Sequence, residues 1–264
     1  NAVNDIGHPT IRATLERLDF NQGLEMHHDA DLPARSGIGS SSAFTVGFLN
    51  AMMALKGVSS SKEFLAKQAI DIEQNVIQES IGSQDQIAAA YGGLNHITFR
   101  IDNSFEVSPV AVSKERIQEL QSHLMLVFTG LSRTASEIAK TQIDEIKKHS
   151  TELVAMRQMV EYSMEILSSQ NSIIEFGKLL HESWVLKRRI TSKISNPVID
   201  DIYESACRAG AIGGKLLGAG GGGFLLLFVR PEDQPSIQRE LQYLIQVPVK
   251  FESTGSQIIV SSES

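Results

Sequence analysis

The run Pro33-Ala-Arg-Ser-Gly-Ile-Gly-Ser-Ser-Ser-Ala-Phe44 limits what this chain can fold into more than any other stretch. Before it, Leu24, Met26 and His28 alternate with Glu25, His27 and Asp29, a pattern that predicts a strand over 24–31. After it, an apolar run predicts a helix over 41–56. A strand therefore feeds a loop of small residues, and the loop feeds a helix. Gly37 and Gly39 allow a backbone with φ > 0 and close approach to a ligand. Ser40, Ser41 and Ser42 fall where helix N–H groups are free and the helix dipole is positive. Such a turn binds anions, most naturally phosphate. The plainer alternative is a serine-capped helix after a flexible turn. The loop is not of the Walker type, because no Lys-Ser or Lys-Thr follows its last glycine. Gly210-Ala-Ile-Gly-Gly-Lys215 has the wrong spacing for one and is followed by Leu216.

Two further segments bear on the same chemistry. One is Glu73-Gln-Asn-Val-Ile-Gln-Glu-Ser-Ile-Gly-Ser-Gln-Asp-Gln86, and the other is Gly213-Gly-Lys-Leu-Leu-Gly-Ala-Gly-Gly-Gly-Gly-Phe224. Gly218 to Gly223 also fits Gly-x-Gly-x-x-Gly, but a dinucleotide site needs a strand before the glycines and a helix after them. Here a helical stretch is expected before the glycines and an apolar strand after them, over 224–229. Tight backbone crossing is the remaining plain reading of four adjacent glycines.

Taken in order, the three segments resemble the signatures of the GHMP kinases, the superfamily of galactokinase, homoserine kinase, mevalonate kinase and phosphomevalonate kinase. Pro33 to Ser41 matches the phosphate loop, with Ile38 in a leucine position. Lys215 to Gly223 matches the C-terminal glycine motif, and Glu73 and Asp85 keep a galactokinase-like separation. Within the superfamily the chain is most similar to the D-glycero-D-manno-heptose 7-phosphate kinase type. That likeness rests on His8-Pro-Thr-Ile-Arg12, Ser40-Ser-Ser-Ala-Phe-Thr-Val-Gly47, Ile81 to Gln86, Tyr91-Gly-Gly-Leu-Asn95, Phe128-Thr-Gly-Leu-Ser-Arg133 and Leu180-His-Glu-Ser-Trp184.

The resemblance implies an α+β, two-domain fold. Its N-terminal domain is ribosomal-protein-S5-like, over 1–130 and without its first strands. Its C-terminal domain is ferredoxin-like with added helices, over 131–264. It implies ATP and Mg²⁺ as cofactors. Phosphates would be held by Pro33, Arg35, Ser36, Gly37, Ile38, Gly39, Ser40, Ser41 and Ser42, supported by Gly218, Ala219 and Gly220. Ser41 and Glu73 would be metal ligands and Asp85 the catalytic carboxylate, with Gln86 contacting the site or fixing Asp85. Read without the resemblance, Glu73 is a helix-surface charge and Asp85 a helix N-cap, while Glu79 and Asp71 are solvated. The implied reaction is phosphorylation of the anomeric hydroxyl of a sugar phosphate. Another sugar 1-kinase, fucokinase-like or galactokinase-like, and a non-catalytic nucleotide-binding scaffold are the alternatives. A substrate that already carries phosphate needs a second anion site, for which Arg133, Lys140, Lys187 and Arg188 are candidates. The resemblance also allows a homodimer.

Composition narrows the partners. The 264 residues carry a net charge of −7, with no Lys/Arg run long enough for a nucleic-acid stripe. Lys187-Arg-Arg189 is the densest basic cluster, read by default as a solvated helix face. Cys207 is the only cysteine, so no intrachain disulfide can form, which suits a reducing compartment. It reads as a packing residue rather than a nucleophile. No apolar run reaches spanning length and no signal pattern opens the chain, so a soluble, cytoplasmic protein is expected. The chain starts without Met, on Asn1-Ala-Val-Asn-Asp-Ile-Gly-His-Pro9, and reads as a piece of a longer protein.

Overall fold

A computed structural model describes residues 3–34, 36–131 and 135–261. Their contacts gather into two compact units. One holds the chain up to Ala34, Gly39–Pro109 and the segment from Glu252 onward; the other holds 36–38 and Val110–Phe251. The seam after Pro109 leaves residue 130, where the helical series begins, inside the second unit.

The first unit is built on four helices: α1 (Pro9–Arg17), α2 (Ser40–Leu55), α3 (Lys62–Asp71) and α4 (Gln84–Tyr91). Val46, Leu49, Leu65, Ala69, Ile87 and Ala90 form its main core. The antiparallel hairpin of β1 (Asn95–Phe99) and β2 (Phe105–Pro109) lays Ile97, opposite Val107, against that core. Leu15 of α1 packs on Phe48 and Met52, the other face of α2. Helix α2 is thus covered on two sides, which fixes the direction of its first turn.

Apolar spacing predicts one helix over 62–79, and here the structure differs. The α-helix stops at Asp71 and continues as a π turn, Ile72–Val76, in which the Ile77 N–H donates to Ile72 O at 2.9 Å. Glu73, four residues after the buried Ala69 and seven after the buried Ala66, continues the buried face of α3 and is itself buried instead of exposed. Gln78, at φ 62°, then ends the segment in the left-handed region.

The second unit carries α5 (Lys114–Ser122), β3 (Leu124–Phe128), α6 (Ala135–Glu145), α7 (Ser150–Ser168), α8 (Ile174–Ile190), α9 (Pro197–Arg208), β4 (Gly213–Leu216), β5 (Phe224–Phe228), α10 (Gln234–Glu240) and β6 (Ile245–Val247). The strands form one antiparallel sheet in the order β4-β5-β3-β6. Strand β5 is apolar throughout because it is central and covered. Helix α9 starts at an Asn196 cap that accepts from the Ile199 N–H at 3.1 Å, with Pro197 in its first turn. Ile199, Ile202, Tyr203 and Ala206 then face the core at helical spacing.

The α+β class is as expected, but several elements are not. The alternating segment 24–31 is exposed and irregular, and 249–252 and 257–260 are not strands either. Alternation makes a strand only when a neighbour accepts its backbone hydrogen bonds, and among the described residues none pairs with these segments. Apolar spacing predicts a helix over 231–244, and the structure shortens it to a 3-10 turn, Pro231–Asp233, followed by α10. The helical stretch expected before the glycines is α9, and β4 intervenes between it and the glycine run. A strand nevertheless still follows the glycines, so the dinucleotide arrangement remains unmet. No helix among the described residues is long and apolar enough to cross a membrane.

Candidate active site

The turn into α2 is built as the sequence suggests. Gly39 occupies the N-cap position at φ 75° and has no side chain to cap the helix. The first N–H groups of this sixteen-residue helix therefore lack the acceptor that a Ser, Asn or Asp cap residue would supply. The hydroxyl side chains that follow diverge: Ser40 is half-buried, Ser41 exposed and Ser42 buried. Pro33 is exposed, Ser36 buried, and Gly37 and Ile38 half-buried; Arg35 lies outside the described residues.

Asp85 sits against this turn. A Cβ placed on Gly39 would lie 3.2 Å from the Asp85 Cγ and 3.4 Å from its Oδ2. Ser83 is the N-cap of α4, and Asp85 lies one step inside its first turn. The helix-cap reading of Asp85 is therefore wrong. Gly39→Ala should cost about 1–2 kcal/mol of stability, from left-handed strain together with the displaced carboxylate. Gly57 supplies the control, because it has φ 71° but nothing within 4 Å of an added Cβ. Urea unfolding should show Gly39→Ala as the more costly change; equal losses would mean that Asp85 does not rest on the turn.

Glu73 is 1% exposed, which overturns the surface-charge reading. Ser42 Oγ donates to its Oε2 at 2.9 Å and Thr45 Oγ1 to its Oε1 at 2.6 Å. The Gln86 amide also donates to Oε2. Gln86 thus holds Glu73, one of the expected site residues. Thr45 escaped sequence reading, although it lies one helical turn after Ser41. Glu79 is half-buried rather than solvated, and burial first, then the nearby Glu73 charge, raise its carboxyl above the ordinary range. Asp71 is partly covered by its partners Arg17 and Asn75, and the Asn75 amide first, then Arg17, lower its carboxyl.

In the second unit, the glycine loop after β4 packs directly on 36–37. A Cβ on Gly37 would lie 2.9 Å from Leu217 O, and one on Gly218 would lie 2.8 Å from the Gly37 Cα. Both glycines have positive φ, so backbone meets backbone with no room for side chains. The Phe224 N–H donates to Ser36 O at 3.0 Å, and Gly223 O accepts from the Thr129 hydroxyl at 2.8 Å. Gln142 donates to Ala219 O. Lys187 Nζ donates to Gly218 O at 2.5 Å and to Leu216 O at 3.4 Å. Gly218 and Ala219 are thereby held through their carbonyls. The loop rests on residues that lead, within a few positions of chain, into the Ser40–Ser42 turn.

The basic cluster is therefore not simply solvated. Lys187 braces the glycine loop, and Arg188 pairs with Asp200 at 2.9 Å and lies 5.5 Å over the Trp184 ring. Arg189 and Lys140 are exposed, and Arg133 lies outside the described residues. Of the candidates for a second anion site, Lys187 and Arg188 thus already have partners within the protein. Cys207 is half-buried and its thiol is pushed up, chiefly by burial, which suits a packing residue.

Comparison with known proteins identifies this arrangement. The model "GHMP kinases N terminal domain" matches residues 6–93 and "GHMP kinases C terminal" matches 163–245, together more than half of the chain. The chain belongs to the GHMP kinase family. It is 30% identical, over 83% of its length, to D-glycero-alpha-D-manno-heptose 7-phosphate kinase of Campylobacter jejuni, and it spans 65% of that relative. It is 26% identical, over 87% of its length, to the bifunctional fucokinase/GDP-fucose pyrophosphorylase of Arabidopsis thaliana, of which it spans 22%. Its fold matches a crystal structure described as a D-glycero-D-manno-heptose 1-phosphate kinase from Bacteroides thetaiotaomicron. That match has a TM-score of 0.67 and 24% identity, and covers 96% of this chain and 74% of the other. The chain thus spans less than two thirds of these two curated relatives. The GHMP fold, with its two family domains, is the one expected from the three segments.

Proposed function

We propose that the protein carrying this chain transfers phosphate from ATP to the anomeric hydroxyl of a sugar phosphate, D-glycero-D-manno-heptose 7-phosphate being the preferred acceptor and the 1,7-bisphosphate the product. The observation that carries this reading is the uncapped N-terminus of α2 with the Asp85 carboxylate against its first glycine. Pro33, Arg35 and the backbone N–H groups of Ser36 to Ser42 receive the nucleotide phosphates, and Gly218, Ala219 and Gly220 keep 36–37 in place. Phosphoryl transfer asks mainly for positioning and charge neutralisation. Asp85 accepts the proton of the anomeric hydroxyl, or orients that hydroxyl, as its oxygen bonds the γ-phosphorus and the bond to ADP breaks.

The residues present fit a magnesium ion. Mg²⁺ wants oxygen donors and keeps several waters. The Ser41 hydroxyl is exposed at the turn. Glu73 takes three hydrogen bonds against about four lone-pair sites, which leaves one on Oε1. Gln86 Oε1, on the amide that donates to Glu73, is buried without a donor. Among the described residues no group of three or more His, Cys, Asp or Glu could hold a metal alone, so the set to test is Ser41, Glu73 and phosphate oxygens. Bound there, the ion would neutralise charge on the transferring phosphates.

Ser41→Ala should raise the half-saturating Mg²⁺·ATP concentration about tenfold, the scale of one lost polar contact to a charged group, and leave the melting temperature unchanged, since this residue is exposed. Steady-state kinetics across an Mg²⁺ series would check it. Unchanged turnover and Mg²⁺ dependence would remove Ser41 from the role. The likeness to the fucokinase relative keeps fucose as the acceptor of a second reading.

A further inference from the structure

We infer that Thr45 and Gln86 are positioning residues that hold the Glu73 carboxylate where the phosphate-loop helix and the Asp85 helix meet. The inference rests on the kinase reading of Glu73 and goes beyond it. Three elements of the first unit converge on one buried carboxylate. Helix α2 sends Ser42 and Thr45, α4 sends Gln86, and the π turn presents Glu73. Thr45 and Gln86 are both 0% exposed, so neither can replace its partner with bulk water.

The Thr45 hydroxyl has one proton and two acceptors in reach: Glu73 Oε1 at 2.6 Å and Ser41 O at 3.2 Å. The shorter, charge-assisted bond takes the proton. Thr45 therefore spends its donor on Glu73 rather than on its own helix. Gln86 follows Asp85 directly in the chain. With its side chain fixed on Glu73, the first turn of α4 cannot rotate, and Asp85 is kept against Gly39.

Near-isosteric variants separate positioning from packing. Thr45→Val and Gln86→Met remove one donor each and retain shape, whereas Thr45→Ser keeps the hydroxyl. Metal affinity is read on the 264-residue chain from Mn²⁺ titrations with ADP by water proton relaxation; melting temperature is measured on the same samples. In the full-length protein kcat and KM are measured separately. Thr45→Val and Gln86→Met should each weaken Mn²⁺·ADP binding and lower kcat about tenfold, the scale of one buried hydrogen bond to a charge. The KM for sugar should hold, and Thr45→Ser should recover to within about twofold of the unaltered protein. Lower melting temperatures with unaltered metal affinity and kcat would reduce the network to packing and overturn the inference. Failure of Thr45→Ser to recover would also overturn it. If Glu73→Gln binds Mn²⁺·ADP as the unaltered chain does, the metal reading of Glu73 fails by itself. The inference then stands or falls on whether the Thr45 and Gln86 variants lower kcat.

Discussion

Asp85→Asn should cut turnover about 10²-fold or more, the usual scale for a positioned acid or base. The substitution keeps the shape that rests on Gly39 and removes only the charge and the proton-accepting oxygen. Nucleotide affinity should change far less, because the phosphates are assigned to backbone N–H groups of the α2 turn. Melting temperature should stay within a few degrees, since Asp85 is only half-buried. Measured kcat and an ADP dissociation constant for the same sample would decide it. Unaltered turnover would move the proton-handling role to another residue or to none.

Trp184→Ala should destabilise the second unit by about 3–5 kcal/mol, the range for deleting a fully buried aromatic. Trp184 is 0% exposed and lies within the core of Ile199, Ile202, Tyr203, Leu216 and Leu225. Its ring meets Tyr203 edge-on with centroids 6.4 Å apart and carries the Arg188 guanidinium on one face. Its indole N–H has no partner among the described residues. Trp184→Phe should therefore lose little beyond volume. Urea unfolding monitored by far-UV circular dichroism would show the contrast. A loss for Ala no larger than for Phe would mean that the site collapses around the gap.

What the sequence could show depended on the kind of signal. The phosphate loop, the Glu73–Gln86 stretch and the glycine run are spaced by chemistry, and the structure places Asp85 at the loop and the glycine run against 36–37. Helical spacing predicts helices over 151–167 and 173–191, and α7 and α8 occupy those stretches, because burial of one face imposes the 3.6-residue period. The π turn was not legible, because one wider turn leaves no mark on the apolar spacing. Glu73 lies on the buried stripe of Ala66 and Ala69 but read as a surface charge, because a carboxylate is ordinarily solvated. Its partners were hidden with it, since Thr45 and Gln86 come from two other helices. Helix α5 did have a signal that went unread. Ser113 accepts from the Arg116 N–H at 3.1 Å as its cap, ahead of Ile117 and Leu120 at helical spacing. Strand β4, Gly213-Gly-Lys-Leu, has no strand propensity of its own; it forms because β5 supplies a complete register from Leu225 to Phe228. The segment 24–31 shows the converse, alternation without a partner strand.

The most direct measurement is a ³¹P NMR assay of the full-length protein that carries this chain, with Mg²⁺ and ATP, offering D-glycero-D-manno-heptose 7-phosphate, fucose, galactose and free heptose in parallel. The expected result is ADP formed in step with a new anomeric phosphate signal on the heptose 7-phosphate, with slower transfer to the sugars that lack phosphate. Nucleotide binding with no transfer to any acceptor, or transfer to fucose in preference to heptose 7-phosphate, would contradict it.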